Sequence, residues 1–422
     1  MKLLFKNVRA VDPQQQLDRT VNILTDGEKI AYIGSEEKPA DRVIDGEGRL
    51  VAVPGLFDMH VHFRDPGYTY KEDILTGAAA AKAGGFTGVA CMPNTDPAID
   101  CPELVSYVLE KSKATGINVI PYGCVTVGMA GKELTDQEKL KEAGAAGISD
   151  DGKPVTNAEL MRQALEKTKE SGMLLASHCE DLDIIDGGII NKGEISDILG
   201  VKGMDRASED SITAREITLA ASCGARVHIC HVSTYGSVNI IRAAKRDGIK
   251  VTCETAPHYF TYTDTKLLKR DADYRMSPPL RTERDRKAIE EAVLDGTIDC
   301  IITDHAPHSA DNKADFVKAP NGVVGLETSL AVTLTQLYHT GKLCLDRLVE
   351  LMSVNPRKIL GLPAVTIKEG EQAELCIFDP ELEWVVEPQK LHSKSKNSVF
   401  KGEKLRGRNV YTVCRGEIVF EL

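Results

Sequence analysis

Four histidines and two aspartates carry the strongest chemical signal in this chain. His60 and His62 stand two residues apart in Asp58-Met59-His60-Val61-His62, so on an extended segment both side chains project to one face and can hold a single ion. His178 follows the apolar run 173–177, His231 follows 227–230, and Asp304 follows 300–303. Asp151 comes after 147–149 in Ser149-Asp150-Asp151-Gly152. One histidine behind an apolar run is more often a hydrogen-bonded core residue than a ligand, but ligand types at the ends of several such runs point to a metal centre. An acid at the end of a dry strand is costly unless a metal or hydrogen bonds stabilise its charge, which argues for function at Asp304. Catalytic zinc normally uses three protein ligands and an open position, so six groups imply two ions. A carboxylate can bridge two metals, and Asp151 is the candidate, with Asp150 beside it as a capping or orienting residue. Nitrogen and oxygen ligands suit zinc best, although manganese or cobalt would also fit. Such a centre makes water nucleophilic near neutral pH. Asp304 is the candidate base that takes the water's proton and delivers it to a leaving nitrogen. His228 is read as core or supporting, and His258, His305, His339 and His392 receive no ligand role.

These residues must be brought together by strands. Strand-like runs are expected at residues 51–57, 88–92, 119–123, 147–149, 174–177, 227–230, 251–254 and 300–303, with helical segments at 74–83, 103–114, 157–171, 212–222 and 237–247 filling gaps between them. Eight such alternations suit a closed (β/α)8 barrel, the TIM barrel, whose catalytic groups sit at the carboxyl ends of the strands. A doubly wound open sheet has the same texture. Before residue 50 the chain has short strand-like runs at 2–8, 21–24 and 29–33, and the same texture returns at 373–378, 384–386, 410–413 and 417–420. The expectation is an α/β fold: a barrel over 51–366 and a small β-sandwich domain composed of 1–50 and 367–422.

Composition narrows the partners. The chain has 422 residues, 42% hydrophobic and 27% charged, the balance of a soluble globular protein. Its 52 basic and 63 acidic residues leave a net charge of -11, which repels nucleic acid and anionic membranes on average and leaves room for a local basic pocket that takes a small anion. Residues 1–10 read as a strand, and no apolar run approaches the roughly 20 residues of a membrane helix. Eleven cysteines without a C-x-x-C pair read mainly as small buried hydrophobes in a reducing cytoplasm.

The run from Val53 to Gly67, VPGLFDMHVHFRDPG, resembles the start of the barrel in dihydroorotases of the amidohydrolase superfamily. Met92-Pro93-Asn94-Thr95 and Asp304-His305-Ala306-Pro307-His308 resemble two further signatures of that family, and the likeness extends over almost the whole chain. Related hydantoinases and allantoinases typically bridge their metals with a carboxylated lysine near strand four. Here Gly147-Ile148-Ser149-Asp150-Asp151-Gly152 resembles the aspartate-bridged bacterial dihydroorotases, and Lys153 follows the glycine turn and is given no bridging role.

The resemblance implies two zinc ions and the reversible interconversion of N-carbamoyl-L-aspartate and L-dihydroorotate in pyrimidine biosynthesis. It places His60, His62 and Asp304 on the first ion, His178 and His231 on the second, and Asp151 between them. Arg64, Asn94 and His308, next to His62, would bind the substrate carboxylate, which suits a guanidinium fork. Ser277, Asn321 and Gly322 are also implied in substrate binding. Two of these depart from the family: Ser277 stands where many relatives have asparagine, giving a shorter or backbone contact, and Asn321 replaces an aromatic residue. The polar segment 309–318 has the length and composition of a mobile lid. Two rivals are a hydantoinase- or allantoinase-type cyclic amidase, and an inactive scaffold for aspartate carbamoyltransferase. The filled ligand positions argue against the scaffold, and Arg64 and Asn94 favour an anionic substrate over the other amidases. A homodimer is what the resemblance suggests, and a complex with aspartate carbamoyltransferase is compatible with it.

Overall fold

Strands with one apolar face need a partner surface, and in the computed structural model, which describes residues 1–422, the two chain ends supply it for each other. The N-terminal strands are β1 (Lys2–Asp12), β2 (Leu17–Asp26), β3 (Lys29–Gly34), β4 (Arg42–Asp45) and β5 (Val51–Pro54). The chain then alternates through β6 (Leu56–Val61), β7 (Phe86–Cys91), β8 (Asn118–Pro121) and β9 (Leu175–Ser177). A short ribbon, β10 (Ile190–Asn191) and β11 (Gly203–Met204), precedes β12 (Val227–Ile229), β13 (Val251–Thr255) and β14 (Cys300–Ile301). The C-terminal strands are β15 (Leu375–Val385), β16 (Lys404–Cys414) and β17 (Glu417–Glu421). The end strands form one sheet in the order β17-β16-β15-β5-β1-β2-β3, with β4 also on β1. It has a core of its own, in which Leu3, Phe5, Ile23, Ile44, Leu375, Ile377 and Val413 pack together.

The middle of the chain closes into a ring of eight parallel stations. β6, β7 and β8 pair in parallel. Single bridges from Gly123 to Ile148 and from Ile148 to Leu175 carry the pairing past the fourth station to β9. The ladder continues through β12, β13 and β14, and a bridge between His305 and Val61 shuts the ring. This is a closed (β/α)8, or TIM, barrel. Helices flank it, and their ends are written in the sequence. Asp73 caps Ile74–Ala83 in a capping box with Thr76, while Asn157 caps Ala158–Ser171, which stops at Gly172 (φ +73°). No helix is long and apolar enough to cross a membrane.

One expected element is divided. Residues 51–57 read as a single barrel strand, but Val51–Pro54 pairs with β1 and β15 in the end sheet and only Leu56 onward enters the barrel. The switch falls at Gly55. A Cβ there would lie 2.3 Å from Thr87 Oγ1, so only glycine lets the chain pass that close, and the Gly55 carbonyl accepts from the Ser353 hydroxyl and the Arg357 guanidinium at 2.8 Å each.

Candidate functional site

The carboxyl ends of the barrel strands converge on a cleft of about 390 Å3, lined by His62, Arg64, Asn94, Asp151, His178, His231, Ser277, Asp304, His308, Asn321 and Gly322, with others. His60 lies at its floor, wholly buried. Every candidate metal-ligating and substrate-binding residue read from the sequence is therefore in or under one cleft.

Three of the four imidazoles are fixed by their outer nitrogens, while the fourth, His231, has no partner in the protein for its outer Nδ1. The His60 Nδ1–H donates to Glu254 Oε1 at 2.5 Å, the His62 Nδ1–H to Asn94 Oδ1 at 2.8 Å, and the His178 Nε2–H to Glu180 Oε2 at 2.8 Å. Those partners are acceptors, so the inner nitrogens are left as lone pairs aimed at the centre. Asp151 sits among them. Its Oδ1 is 3.4 Å from His60 Nε2, 3.3 Å from His178 Nδ1 and 3.4 Å from His231 Nε2, and its Oδ2 is 3.5 Å from His62 Nε2. Asp304 Oδ1 is 3.1 Å from His62 Nε2 and 3.8 Å from His60 Nε2.

These separations favour a cation. Ligand atoms about 2.0–2.1 Å from one tetrahedral zinc stand roughly 3.3–3.4 Å from each other, and the spacings around Asp151 Oδ1 match that figure. His60 Nε2 and Asp151 Oδ1 are buried with no hydrogen-bond partner in the protein. His178 Nδ1 and His231 Nε2 face each other at 2.9 Å, an awkward meeting unless a proton or an ion lies between them. Two overlapping ligand groups result, His60, His62 and Asp151 on one side and Asp151, His178 and His231 on the other. Burial opposes the charge on Asp151, but the surrounding histidines overcome it and hold its pKa well below the usual carboxylate value.

The backbone is bent to make this possible. His231 and Asp304 have positive φ, 32° and 47°, and so does Arg64 at 59°. A non-glycine residue in this region costs on the order of 1–2 kcal/mol, and three of them border one cleft. Asp58, fully buried, ties two strand ends together by accepting from the backbone N–H of His60 at 2.9 Å and of Thr303 at 3.0 Å. Burial pushes its pKa up to about 7. Asp150 faces the other way, accepting from the N–H groups of Val125 and Thr126 at 2.8 and 3.2 Å, which leaves Asp151 for the centre.

Across the cleft the chemistry changes from acidic to cationic. Arg64 is 9% exposed, its Nε has no partner in the protein, and burial lowers its pKa only to about 10, so it stays charged. The His308 Nε2–H donates to the Asn321 carbonyl at 2.9 Å, and burial, with the Arg64 charge adding to it, drives the His308 pKa down to about 2. Gly322 (φ +139°) passes so close that a Cβ would lie 2.6 Å from the Ala306 carbonyl oxygen. Asn94 is engaged on both sides, holding His62 and donating to the Asp151 carbonyl at 3.4 Å. The Ser277 hydroxyl donates to Glu180 Oε2 at 2.6 Å. The 309–318 segment holds a short helix, Ala310–Lys313, and Lys313 Nζ donates to the carbonyls of Ala272, Arg275 and Pro320 at 3.0, 3.1 and 2.9 Å.

The comparisons agree with this geometry. A family model described as dihydro-orotase-like matches residues 48–237. The chain is 51% identical to a dihydroorotase of Geobacter sp. (strain M21) over 428 residues, covering all of both chains. The chain belongs to the dihydroorotase family. It is also 47% identical to the dihydroorotase of Acetivibrio thermocellus, over 99% of this chain and 98% of the other. Among solved structures it is similar to the L-hydantoinase (dihydropyrimidinase) from Arthrobacter aurescens, with a TM-score of 0.86 and 28% identity over 99% of this chain and 96% of that one. The dihydropyrimidinase from Brevibacillus agri NCHU1002 gives a TM-score of 0.87 at 25% identity over 100% and 95%. The family and the fold make the chain a cyclic amidohydrolase. Its strand-four segment has no lysine in the cleft, and Lys153 is exposed.

Sequence reasoning missed Glu254, Glu180 and Asp58. Glu254 is the penultimate residue of β13, and the cost argument that singled out Asp304 applies equally to it. Glu180 lies two residues after His178, the spacing that made His60 and His62 a pair.

Proposed function

We propose that this protein is a dihydroorotase that interconverts N-carbamoyl-L-aspartate and L-dihydroorotate, with two zinc ions held by His60, His62, Asp151, His178, His231 and Asp304. The observation that carries the substrate is Arg64. A buried guanidinium facing a metal-type cleft, with His308 and Gly322 beside it, calls for a small anion that also presents an amide carbonyl to the other wall. Dihydroorotate has both, a carboxylate and a cyclic ureide, whereas hydantoin and allantoin lack the carboxylate. Bound at these ligands, the ions supply Lewis acidity at the carbonyl and lower the pKa of water into the neutral range. The protein's own groups do the rest. Arg64 orients the carboxylate, His308 joins it as a second donor once the incoming anion lets its free Nδ1 take a proton, Ser277, Asn321 and Gly322 border the ring, and Asp304 takes the proton from the attacking water and returns it to the ring nitrogen. Asp151 stays ionised because four histidines surround it.

The test is the rate of L-dihydroorotate hydrolysis by purified protein with its metal counted in the same sample. Turnover with about two zinc ions per chain is expected. A loaded protein inactive on dihydroorotate but active on hydantoin or allantoin would discard the substrate, and a protein that takes up no metal would discard the centre. The same reading carries a cytoplasmic homodimer, open to complex formation with aspartate carbamoyltransferase, for which light scattering of the protein alone and mixed with that enzyme is the measurement.

A further inference from the structure

Two glutamates stand behind metal-facing histidines, and they are not alike. Glu254 supports His60 from inside the barrel; its second oxygen lies 3.1 Å from His228 Nε2, and it does not line the cleft. Glu180 supports His178 and does line the cleft. It is 2% exposed, and one oxygen, Oε2, serves two donors at once, the His178 Nε2–H at 2.8 Å and the Ser277 hydroxyl at 2.6 Å. The other, Oε1, is buried and has no partner. A carboxylate oxygen without a donor is costly in a dry site, and Ser277 is a cleft residue.

We infer that Glu180 couples occupation of the cleft to the second metal position: it holds His178 with Oε2 while Oε1 and Ser277 sense an N–H of the bound cyclic ureide. The chemistry runs in one line. A ring that draws the Ser277 hydroxyl away from Oε2 leaves that oxygen's charge to His178 alone and raises the basicity of His178 Nδ1, which outweighs the smaller, opposite withdrawal of charge by an N–H at the farther oxygen, Oε1. Glu180 is a positioning residue in this scheme, acting on the ion through His178. Linkage requires the effect to be reciprocal, so ligand tightens the second ion by the factor by which that ion tightens ligand. The first position, backed by Glu254 and remote from Ser277, does not share the coupling.

The inference rests on the proposed metal pair, and the experiment separates the two. Zinc affinities of the full-length protein are measured by competition with a chromophoric chelator, with His178→Ala marking which affinity is the second ion's. Glu180→Gln is expected to weaken that ion about 10- to 100-fold and leave the first within twofold, and Glu254→Gln to do the reverse. The measurement is repeated in an equilibrated, saturating mixture of dihydroorotate and N-carbamoyl-L-aspartate. The wild type should then hold the second ion more tightly, Glu180→Gln should show no such gain, and Ser277→Ala, which leaves Glu180 in place, a reduced one. Unchanged second-ion affinity in a folded Glu180→Gln protein, or an undiminished gain in it, overturns the coupling alone. A wild type that takes up fewer than two ions overturns the coupling and the metal pair together.

Discussion

Arg64→Met is the substitution in which activity and stability should move in opposite directions. No protein group accepts a hydrogen bond from the buried Arg64 Nε, and burial already pulls its pKa down to about 10. Leaving buried charged donors unsatisfied costs about 1–3 kcal/mol or more, so removing the charge should stabilise the substrate-free protein by about that amount. At roughly 2.1 cal/mol/K per residue, 422 residues give an unfolding entropy of about 0.9 kcal/mol/K, and the gain becomes a rise of about 1–3 °C in Tm. The substrate loses far more. Truncating one partner of a buried, hydrogen-bonded charge pair costs about 2–5 kcal/mol, a fall in kcat/KM of about 30- to 5,000-fold. The assays are dihydroorotate hydrolysis and differential scanning calorimetry on zinc-loaded protein. A kcat/KM within threefold of wild type would refute the carboxylate role. A Tm that drops by several degrees would show that the guanidinium is satisfied where it sits.

Other outcomes follow from neighbouring groups. Asp304→Asn should retain most of the zinc yet lose turnover by about 100- to 10,000-fold, the range for a general acid–base group; full turnover removes Asp304 from the proton path. Stripping the metal with a chelator should abolish activity and lower Tm, since zinc at about 1,000 times its Kd contributes about 4 kcal/mol; calorimetry with and without added zinc checks this. His308 titrates near 2 in the fold because of burial, against about 6.5 in the unfolded chain, so the unfolded state binds the extra proton and stability falls as pH drops from about 6.5 towards 2. His308→Gln should flatten that slope by up to about 1.4 kcal/mol per pH unit in metal-free protein, and an unchanged slope refutes it. Lys313→Met would leave the Pro320 carbonyl without a donor, at a cost of about 1–3 kcal/mol, and take a second donor from the Ala272 and Arg275 carbonyls, which keep the N–H groups of Arg275 and Gly322, freeing the 309–318 segment; faster proteolysis there and a raised KM are expected, and equal nicking rates would contradict it.

The residues that converge in the cleft were legible because chemistry and position coincide. Polar residues at the ends of apolar runs stand out, and a parallel barrel sends all strand ends to one mouth. Asp151 could be preferred to Asp150, but its environment could not be seen: the backbone N–H groups of Val125 and Thr126, which take up Asp150, come from a different loop. The same limit hid Glu254, since nothing local says that its carboxylate reaches across the barrel to a residue 194 positions earlier. The strand at 51–57 was misjudged because apolar continuity hides a change of partner; only the contact of Gly55 with Thr87 reveals it. In 309–318 the charged composition suggested a solvated lid, yet Lys313 is buried because three backbone carbonyls, invisible in a sequence, receive it.

The end sheet also sets the order in which the molecule is finished on the ribosome. β5 leads directly into the first barrel strand, yet its neighbour β15 pairs Leu375 with Pro54. That partner emerges about 320 residues later, roughly 20–60 s at ordinary translation speeds of about 5–20 residues per second. Until then one edge of β5 stays unpaired, next to the segment that delivers His60 and His62. Synthesis that stalls, or a chain that ends, before Leu375 therefore leaves the catalytic mouth attached to an open sheet edge. Such an edge is a template for other chains, so incomplete molecules should be lost to aggregation or proteolysis rather than persist as partial enzymes.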